Sequence, residues 1–426
     1  MKIFFYTLGC KVNQYESQVA EEIFEKHGHI ITNNLSEADV AVVNSCTVTA
    51  ESDRKTRQAV RRFKKSNPER IVILMGCMPS AIPETADKLP EADIVIGNVN
   101  PVGIAELLDE FSEKKERIVR IERHEKREKY STPAISKFSD RTRAFMKVQD
   151  GCDRYCTYCL IPFARGHIRS RALSDIENEA KSLAKSGFRE IVLVGINLTS
   201  FGNDNGLDIS DAVKAAAVEG IERVRLGSIE PDHMSDRLLA RLKAEPKFCP
   251  QFHLALQSGS DKTLKRMNRH YDRAFFSDLV GRIRNNFENA SITTDIMVGF
   301  PGETEEDFID SRDFLLEIGF ARSHVFAYSK RSGTGAAGLP SQVEECEKTK
   351  RASLMADAAR KSETDFLETQ VGRVDAVLFE RKSDGYYEGY TANYTRVKVK
   401  SEKDISGSIL PVKITSVKDD FCFGEL

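Results

Sequence analysis

Three cysteines fall close together in the string GCDRYCTYCLIP: Cys152, Cys156 and Cys159. Spacings of four and then three residues let one loop wrap its thiolates around a compact iron–sulfur cluster. Three protein ligands on a four-iron cluster leave one iron open, and an open metal position is where a substrate or cofactor binds. Two plainer readings stand beside this one. A structural zinc site wants a fourth Cys or His, for which His167 is the nearby candidate, or the three thiols are ordinary loop residues. A second group is dispersed: Cys10, Cys46 and Cys77, in TLGCKVN, VVNSCTVT and LMGCMPS. Each ends an apolar run that reads as a strand. In an open parallel sheet the C-terminal strand ends converge on one edge, where such sheets bind ligands. With small or polar neighbours (Gly9, Asn44, Ser45, Gly76) the group reads as a second open-iron cluster, against the alternative of three buried core thiols. Cys249, Cys346 and Cys422 have no partners at ligand spacing. The histidines form no local metal or catalytic pattern.

The elements that must position these groups alternate. KIFFYTLG, ADVAVVNSC, ERIVILMGC and ADIVIGN read as strands, with helices over Glu16 to His27 and Asp53 to Lys65. Short apolar runs separated by helical stretches imply a parallel sheet with crossover helices, here over residues 1–115. Residues 116–138 are strongly charged and read as an exposed connector. Over 139–369 the alternation resumes in RAFMKVQD, REIVLVG, RVRLGSIE, QFHLALQ, ITTDIMVG and ARSHVFAYS, a second α/β domain with the makings of a partial barrel. It closes with a lone charged helix from Ser341 to Thr369. Residues 370–426 carry short β-rich runs that fit a small antiparallel barrel. No GxGxxG or GxxxxGK[ST] pattern occurs, which disfavours a dinucleotide fold or a P-loop.

Composition sets the outer bounds. A chain of 426 residues with 40 % hydrophobic and 30 % charged residues is that of a globular protein of two to four domains. No apolar run is long enough to span a membrane, and the first residues do not form a secretory signal. Nine cysteines without such a signal imply a reducing, cytoplasmic setting. Lys plus Arg number 63 against 65 for Asp plus Glu, so any nucleic-acid surface must be local. Candidates are Arg54, Arg57, Arg61 and Arg62 on the second helix, the cations Lys147, Arg154, Arg165, Arg169 and Arg171 around the tight cysteine group, and, in the tail, Tyr390 and Arg396 among further tyrosines. Aromatics beside cations suit base stacking on single-stranded RNA. The alternative is a set of solvated faces.

CxxxCxxC directly after the first strand of an α/β domain resembles the radical S-adenosylmethionine (SAM) superfamily. That resemblance implies a partial (β/α)6 barrel, SAM chelated at the open iron, and a 5′-deoxyadenosyl radical. It also implies SAM-facing roles for Tyr158, Asn197, Glu230, Gln257, Ser258, Met297 and Gly299, although Asn197 stands where a carboxylate is usual. With the second cysteine group and the β-rich tail, the whole chain resembles the methylthiotransferases of that superfamily, whose last domain is a TRAM domain. TLGCKVNQYE, Thr7 to Glu16, is similar to the branch that methylthiolates N6-threonylcarbamoyladenosine. The isopentenyladenosine branch usually has Gln-Met-Asn in this motif. The resemblance implies two 4Fe-4S clusters, two SAM, a tRNA anticodon stem-loop as substrate, an external electron donor and no membrane partner. A ribosomal-protein aspartate methylthiotransferase and a non-catalytic iron–sulfur RNA-binding protein remain as rivals.

Overall fold

The computed structural model describes residues 1–98, 103–125, 128–136 and 142–426. Parts of the expected connector (126–127, 137–138) and the first residues of the expected central domain (139–141) therefore lie outside the described residues. Strands β1 (Lys2–Thr7), β2 (Ile30–Ile31), β3 (Val40–Ser45), β4 (Ile71–Gly76), β5 (Ile94–Ile96) and β6 (Ile118–Arg120) form one sheet in the order β2-β1-β3-β4-β5-β6. Every pairing is parallel. β3 and β4 are buried along their whole length, as near-continuous apolar runs covered by helices on both faces should be. The helix Lys11–Lys26 begins at Lys11 rather than at the expected Glu16. Cys10 occupies its N-cap, with its backbone N–H donated to Asn13 Oδ1 at 3.3 Å, and apolar spacing gives no sign of a cap made by cysteine.

β6 falls within the segment expected to be an exposed connector, and the residues after it are not exposed throughout. Ile135 is buried, Tyr130 donates its hydroxyl to the Lys147 carbonyl at 2.7 Å, and Tyr15 donates to the Pro133 carbonyl at 3.0 Å. The high charge of this segment conceals the few side chains that dock it.

The central domain contributes β7 (Arg143–Lys147), β8 (Gln149–Asp150), β9 (Arg169–Ser170), β10 (Glu190–Val194), β11 (Arg223–Leu226), β12 (Ser228–Ile229), β13 (Gln251–Leu254), β14 (Ser291–Val298) and β15 (Arg322–Ala327). Two parallel sheets, β11-β10-β7 and β12-β13-β14-β15, meet where the expected strand RVRLGSIE breaks at Gly227. Among the described residues β7 pairs only with β10 and β15 only with β14, so the barrel is open on one side. The helix Lys11–Lys26 lies along β7, and one apolar core runs through both domains, joining Tyr15, Val19 and Phe24 to Ile135, Phe145 and Ile176.

The charged helix Glu345–Glu368 sends Met355, Ala358 and Ala359 into that same core. After it, β16 (Val374–Ser383), β17 (Tyr386–Thr391), β18 (Arg396–Val399), β19 (Ile409–Lys418) and β20 (Phe421–Glu425) close a barrel in the order β16-β17-β18-β20-β19. One pairing, β18 with β20, is parallel. The other four pairings are antiparallel, as expected of this barrel; β19 runs between β16 and β20, so the chain returns beside β18 in the same direction.

Candidate active site

The dispersed cysteines come together as the parallel sheet requires. Cys10 follows β1, Cys46 follows β3, and Cys77 opens the short helix Cys77–Ala81 after β4. Two glycines let these loops close on one another. At Gly9, φ is +113° and a Cβ would stand 2.8 Å from Cys46 Cβ; at Gly76, φ is +103° and a Cβ would meet Asn44 Oδ1 at 2.5 Å. Asn13 and Asn44 tie the loops by reciprocal bonds, Nδ2 of Asn13 to Oδ1 of Asn44 at 3.2 Å and Nδ2 of Asn44 to the Asn13 carbonyl at 2.9 Å. Burial pushes the Cys77 thiol up to about 12, opposed by Arg165 and reinforced by Glu16, Cys46 and Cys10.

Cys152, Cys156 and Cys159 lie on a loop that leaves and returns through the antiparallel ribbon β8–β9. The Cys152 N–H donates to the Gly166 carbonyl at 3.0 Å, closing the loop's base, and the Cys159 N–H donates to the Cys156 carbonyl at 3.0 Å. Burial pushes Cys159 up to about 12 and Cys152 up to about 11.

Both groups fit an iron–sulfur cluster by the donors aimed at their sulfurs, since hydrogen bonds to ligand sulfur are a tuning device of such sites. The Val48 N–H points at Cys46 Sγ and the Ile161 N–H at Cys159 Sγ, both at 3.4 Å. Arg269 Nη1 donates to Cys156 Sγ at 3.2 Å. Among the described residues no three Cys, His, Asp or Glu side chains converge on a single metal ion, and a cluster spreads its ligands around several irons instead. His167, the candidate fourth zinc ligand, is engaged with Asp153 at 2.7 Å.

Arg165 stands between the two cysteine groups. It ends the helix Ile161–Arg165, directly after the tight group, and donates from Nε (3.2 Å) and Nη2 (3.1 Å) to Cys77 Sγ. Its Nη2 also reaches Glu16 Oε2 at 2.9 Å. Lys147 Nζ continues the network to Glu16 at 2.7 Å and Asp150 at 2.6 Å. Burial works to raise the Glu16 carboxyl, and Arg165 and Lys147 outweigh it, leaving it below the usual carboxylate range.

This corrects the expectation that cations around the tight group face RNA. Lys147, Arg165, Arg169 and Arg171 are buried, with Arg171 on Glu179 at 2.6 Å and Arg169 on Asp150 at 3.4 Å, while Arg154 pairs with Asp232. Such cations are inside only because carboxylates meet them there. Glu179 interrupts the otherwise apolar buried face of Ile176, Ala180 and Leu183, a sequence sign of a buried counter-charge, whereas Glu16 shares its buried face with Asn13, Ser17, Gln18 and Glu22 and carries no such sign.

Several of the expected SAM-facing residues ring the tight group. Tyr158 and Met297 join Phe300 and Tyr328 in an apolar cluster, with the Tyr158 ring edge-on to Phe300 at 6.4 Å. Asn197 Nδ2 lies 4.0 Å from Cys152 Sγ, and its backbone N–H is held by Gln149 Oε1 at 2.8 Å. Glu230 pairs with Arg269, the same arginine that touches Cys156. Gln257, at φ +67°, is clipped to β14 through the Asp295 carbonyl at 2.9 Å and the Met297 N–H at 2.8 Å. Ser258 and Gly299 sit differently. Ser258 is buried, its hydroxyl accepting the Ser260 N–H at 3.2 Å, and the space beside Gly299 is filled by Lys348, 2.4 Å from where a Cβ would stand. Sequence gives no signal for Gln149, in the two-residue strand β8, for Arg269, or for Tyr271, whose hydroxyl accepts from Arg269 Nε at 3.0 Å and donates to the Leu256 carbonyl at 2.9 Å, because single polar residues carry no spacing.

On the helix Ala50–Ser66, Arg54, Arg61 and Arg62 are exposed and Arg57 is half-buried. Arg54 is held by Glu51 at 2.7 Å and Arg61 by Glu91 at 3.4 Å, while Arg62 lies over Phe63. Tyr390 and Arg396 are not the open RNA platform expected of them. Tyr390 stacks on Tyr394, ring centroids 4.6 Å apart, with the Arg143 guanidinium over its ring at 4.5 Å. Arg396 pairs with Asp420 and Glu363 and lies over Phe421.

An open parallel barrel carrying three cysteines just beyond its first strand defines a radical SAM enzyme. Residues 146–315 match the Radical SAM superfamily, and residues 2–97 match the Uncharacterized protein family UPF0004. Two solved structures share the fold at low identity. The radical SAM methyltransferase TsrM from Kitasatospora setae is 13 % identical with a TM-score of 0.60, over 91 % of this chain and 80 % of that one. The cobalamin-dependent SAM radical enzyme OxsB is 12 % identical with a TM-score of 0.51, over 86 % and 56 %. Full-length relatives go further. The threonylcarbamoyladenosine tRNA methylthiotransferases MtaB of Bacillus subtilis and Aquifex aeolicus are each 36 % identical, over 96 % and 97 % of this chain and 93 % and 100 % of theirs. A tRNA-2-methylthio-N(6)-dimethylallyladenosine synthase of Endomicrobium trichonymphae is 33 % identical over the full length of both. The chain belongs to the radical SAM tRNA methylthiotransferase family.

Proposed function

We propose that the protein inserts a methylthio group at C2 of N6-threonylcarbamoyladenosine beside the anticodon of tRNA, in the cytoplasm and with electrons from an external donor. On this reading one four-iron cluster is held by Cys152, Cys156 and Cys159 with SAM at its open iron, and a second by Cys10, Cys46 and Cys77. Residues 1–115 with β6 carry the second cluster, 139–369 the first, and 370–426 complete the RNA-binding body.

The carrying observation is Arg165. It belongs to the element that follows one cysteine group, and its guanidinium touches a thiol of the other. Two sites joined through one side chain suit a reaction whose two halves must meet at one base. TLGCKVNQYE and the names of the 36 % identical relatives support the substrate branch.

Bound at these thiols, the clusters and SAM supply what no side chain can, one-electron activation of an aromatic C–H bond and a sulfur that carries a methyl group. The protein's own residues hold and insulate. Arg269 fixes Cys156 and Glu230 together, Asn197 and Gln149 shape the loop wall beside Cys152, and Tyr158, Met297 and Phe300 form an apolar wall that excludes water. Arg165 supplies positive charge to the Cys77 thiol, which burial would otherwise keep protonated, and Lys147 backs Arg165 through Glu16. Arg269 supplies positive charge beside Cys156.

Anaerobically reconstituted protein should hold about eight irons per chain, and about four when Cys152, Cys156 and Cys159 are all alanine. Cys46→Ala should cleave SAM to 5′-deoxyadenosine without yielding methylthiolated nucleoside, whereas Cys156→Ala should do neither. Nucleoside mass spectrometry on tRNA bearing threonylcarbamoyl or isopentenyl adenosine settles the branch. Equal loss of SAM cleavage in both folded variants overturns the division of labour.

A further inference from the structure

The side chain after Cys10 is placed differently from Lys147, Arg154, Arg165, Arg169, Arg171 and Arg269, the paired cations described around the site. Parallel register puts Arg143 and Phe145 of β7 beside Glu190 and Val192 of β10, and these beside Arg223 and Arg225 of β11. On the far side it sets Asp295 and Met297 of β14 against His324 and Phe326 of β15. With side chains alternating along each strand, these groups share one face, the concave one.

Lys11 reaches into that concavity across the barrel's open side. Its ammonium stands 5.9 Å over the Phe145 ring and faces Tyr394, Arg143 and Arg225. From the opposite wall, Asp295 and His324 face Lys11 in turn. Although walls surround it, the Lys11 side chain is solvent-exposed, so it opens on the hollow of the barrel.

Its neighbours are already spoken for. Arg225 is on Glu190 at 2.8 Å and Arg143 on Glu380 at 2.6 Å, while Asp295 is turned to His253 at 3.3 Å. Among the described residues Lys11 makes no ion pair and donates no hydrogen bond. With both guanidiniums matched by carboxylates and Asp295 turned to His253, the Lys11 ammonium is the accessible charge left without a partner in a partly enclosed space, where an anion is held more strongly than on open surface.

We propose that Lys11 forms a carboxylate subsite for the N6 substituent of the target adenosine and thereby sets which modified base the enzyme accepts. The inference rests on the proposed substrate, whose threonyl group ends in a carboxylate. C2 and N6 flank N1 on the same edge of adenine. A base that presents C2 to the Cys10 group therefore sends its N6 substituent past the adjoining residue, and consecutive Cα atoms lie only about 3.8 Å apart. A charged donor suits a carboxylate, whereas an uncharged isopentenyl group would leave the ammonium unpaired. A phosphate of the RNA backbone is the other anion such a site could hold, and the test separates the two.

Reconstituted holoenzyme is titrated with four anticodon stem-loops that differ only at the target base: threonylcarbamoyladenosine, its methyl ester, isopentenyladenosine and adenosine. Wild type should bind the free carboxylate about tenfold or more tighter than the ester. Lys11→Met should bring that ratio close to one without changing affinity for the adenosine stem-loop, and Lys11→Arg should restore most of it. Because the ratio is read within each protein, partial inactivation of a variant cancels. Wild type that fails to prefer the carboxylate over the ester, or Lys11→Met that keeps the preference, overturns the subsite. So does a Lys11→Met variant weakened equally towards all four stem-loops, which assigns the ammonium to backbone phosphate. Wild type that methylthiolates the isopentenyl stem-loop but not the threonylcarbamoyl one refutes the proposed substrate itself, a result distinct from methylthiolation of the carboxylate with the ratio unmoved.

Discussion

Single charged side chains hold the two halves of the site together, and Arg165 shows how. It is fully buried between Cys77, Glu16 and Asp150. A buried guanidinium contributes little net stability against an apolar substitute, but removing it alone leaves the buried Glu16 and Asp150 to share Lys147, with Arg169 beside Asp150, and so one positive charge short. Arg165→Ala should therefore cost about 3–5 kcal/mol in urea unfolding. Arg165→Lys should cost less, because it keeps the charge and loses only the two-pronged geometry. Equal stability for wild type and Arg165→Ala would mean that Glu16 and Asp150 are already satisfied by Lys147. The tight cysteine group is legible by its spacing, and the dispersed one by the place of each cysteine at the end of an apolar run. Arg165 was legible only as a cation, since nothing local distinguishes an arginine on a surface from one facing Glu16, far away in sequence.

Elements were easier to read than their ends or their neighbours. Runs such as VAVVNS and IVILMG announce buried parallel strands because no water-facing alternation interrupts them, and all six expected strands of the central domain are present. What sequence missed were interruptions made by backbone bonding, such as the break at Gly227 and the cysteine cap at Lys11–Lys26, and charge placed inside. Glu190 on β10 is the clearest of these. Burial works to raise its carboxyl, and Arg225, Arg143 and Arg223 together hold it below its ordinary value near 4.5. A carboxyl depressed in the folded state contributes stability that is complete above about pH 4.5 and is lost as pH falls through the lower folded value. Wild type should accordingly lose stability below that pH, and Glu190→Gln should flatten that part of the profile while lowering stability at neutral pH by about 3–5 kcal/mol. Chemical denaturation at a series of pH values measures both. An unchanged acid limb in the variant would place the titrating group elsewhere.

At the scale of the molecule, the tail reads from sequence as a separable module, and the structure ties it down. The Tyr390 carbonyl accepts from Arg223 at 3.0 Å and the Ala392 carbonyl from Arg225 at 2.9 Å. Tyr394 lies under Arg225 at 4.7 Å and Arg143 at 5.0 Å, and Asn393 donates to the Asn289 carbonyl at 3.0 Å. Half of the tail's tyrosine signal thus belongs to docking. Deleting residues 371–426 would strip acceptors from two buried guanidiniums, so it should lower the melting temperature as well as tRNA affinity and cannot isolate an RNA role. The face that carries the exposed Lys382 and Lys400 can. Lys400 lies over the half-buried Tyr386 ring at 5.3 Å, an exposed cation beside an aromatic of the kind that holds single-stranded RNA, while Lys382 lies at 5.1 Å over Tyr387, whose ring belongs to the barrel's own core. Lys382→Glu with Lys400→Glu should weaken tRNA binding and flatten its log–log salt dependence by about one unit per lost phosphate contact. The melting temperature should stay put, because both side chains are exposed. Tyr394→Ala should do the reverse and lower the melting temperature first. If the double lysine reversal leaves affinity and salt slope unchanged, the RNA path does not cross this face, and the exposed arginines of the helix Ala50–Ser66 become the surface to reverse next.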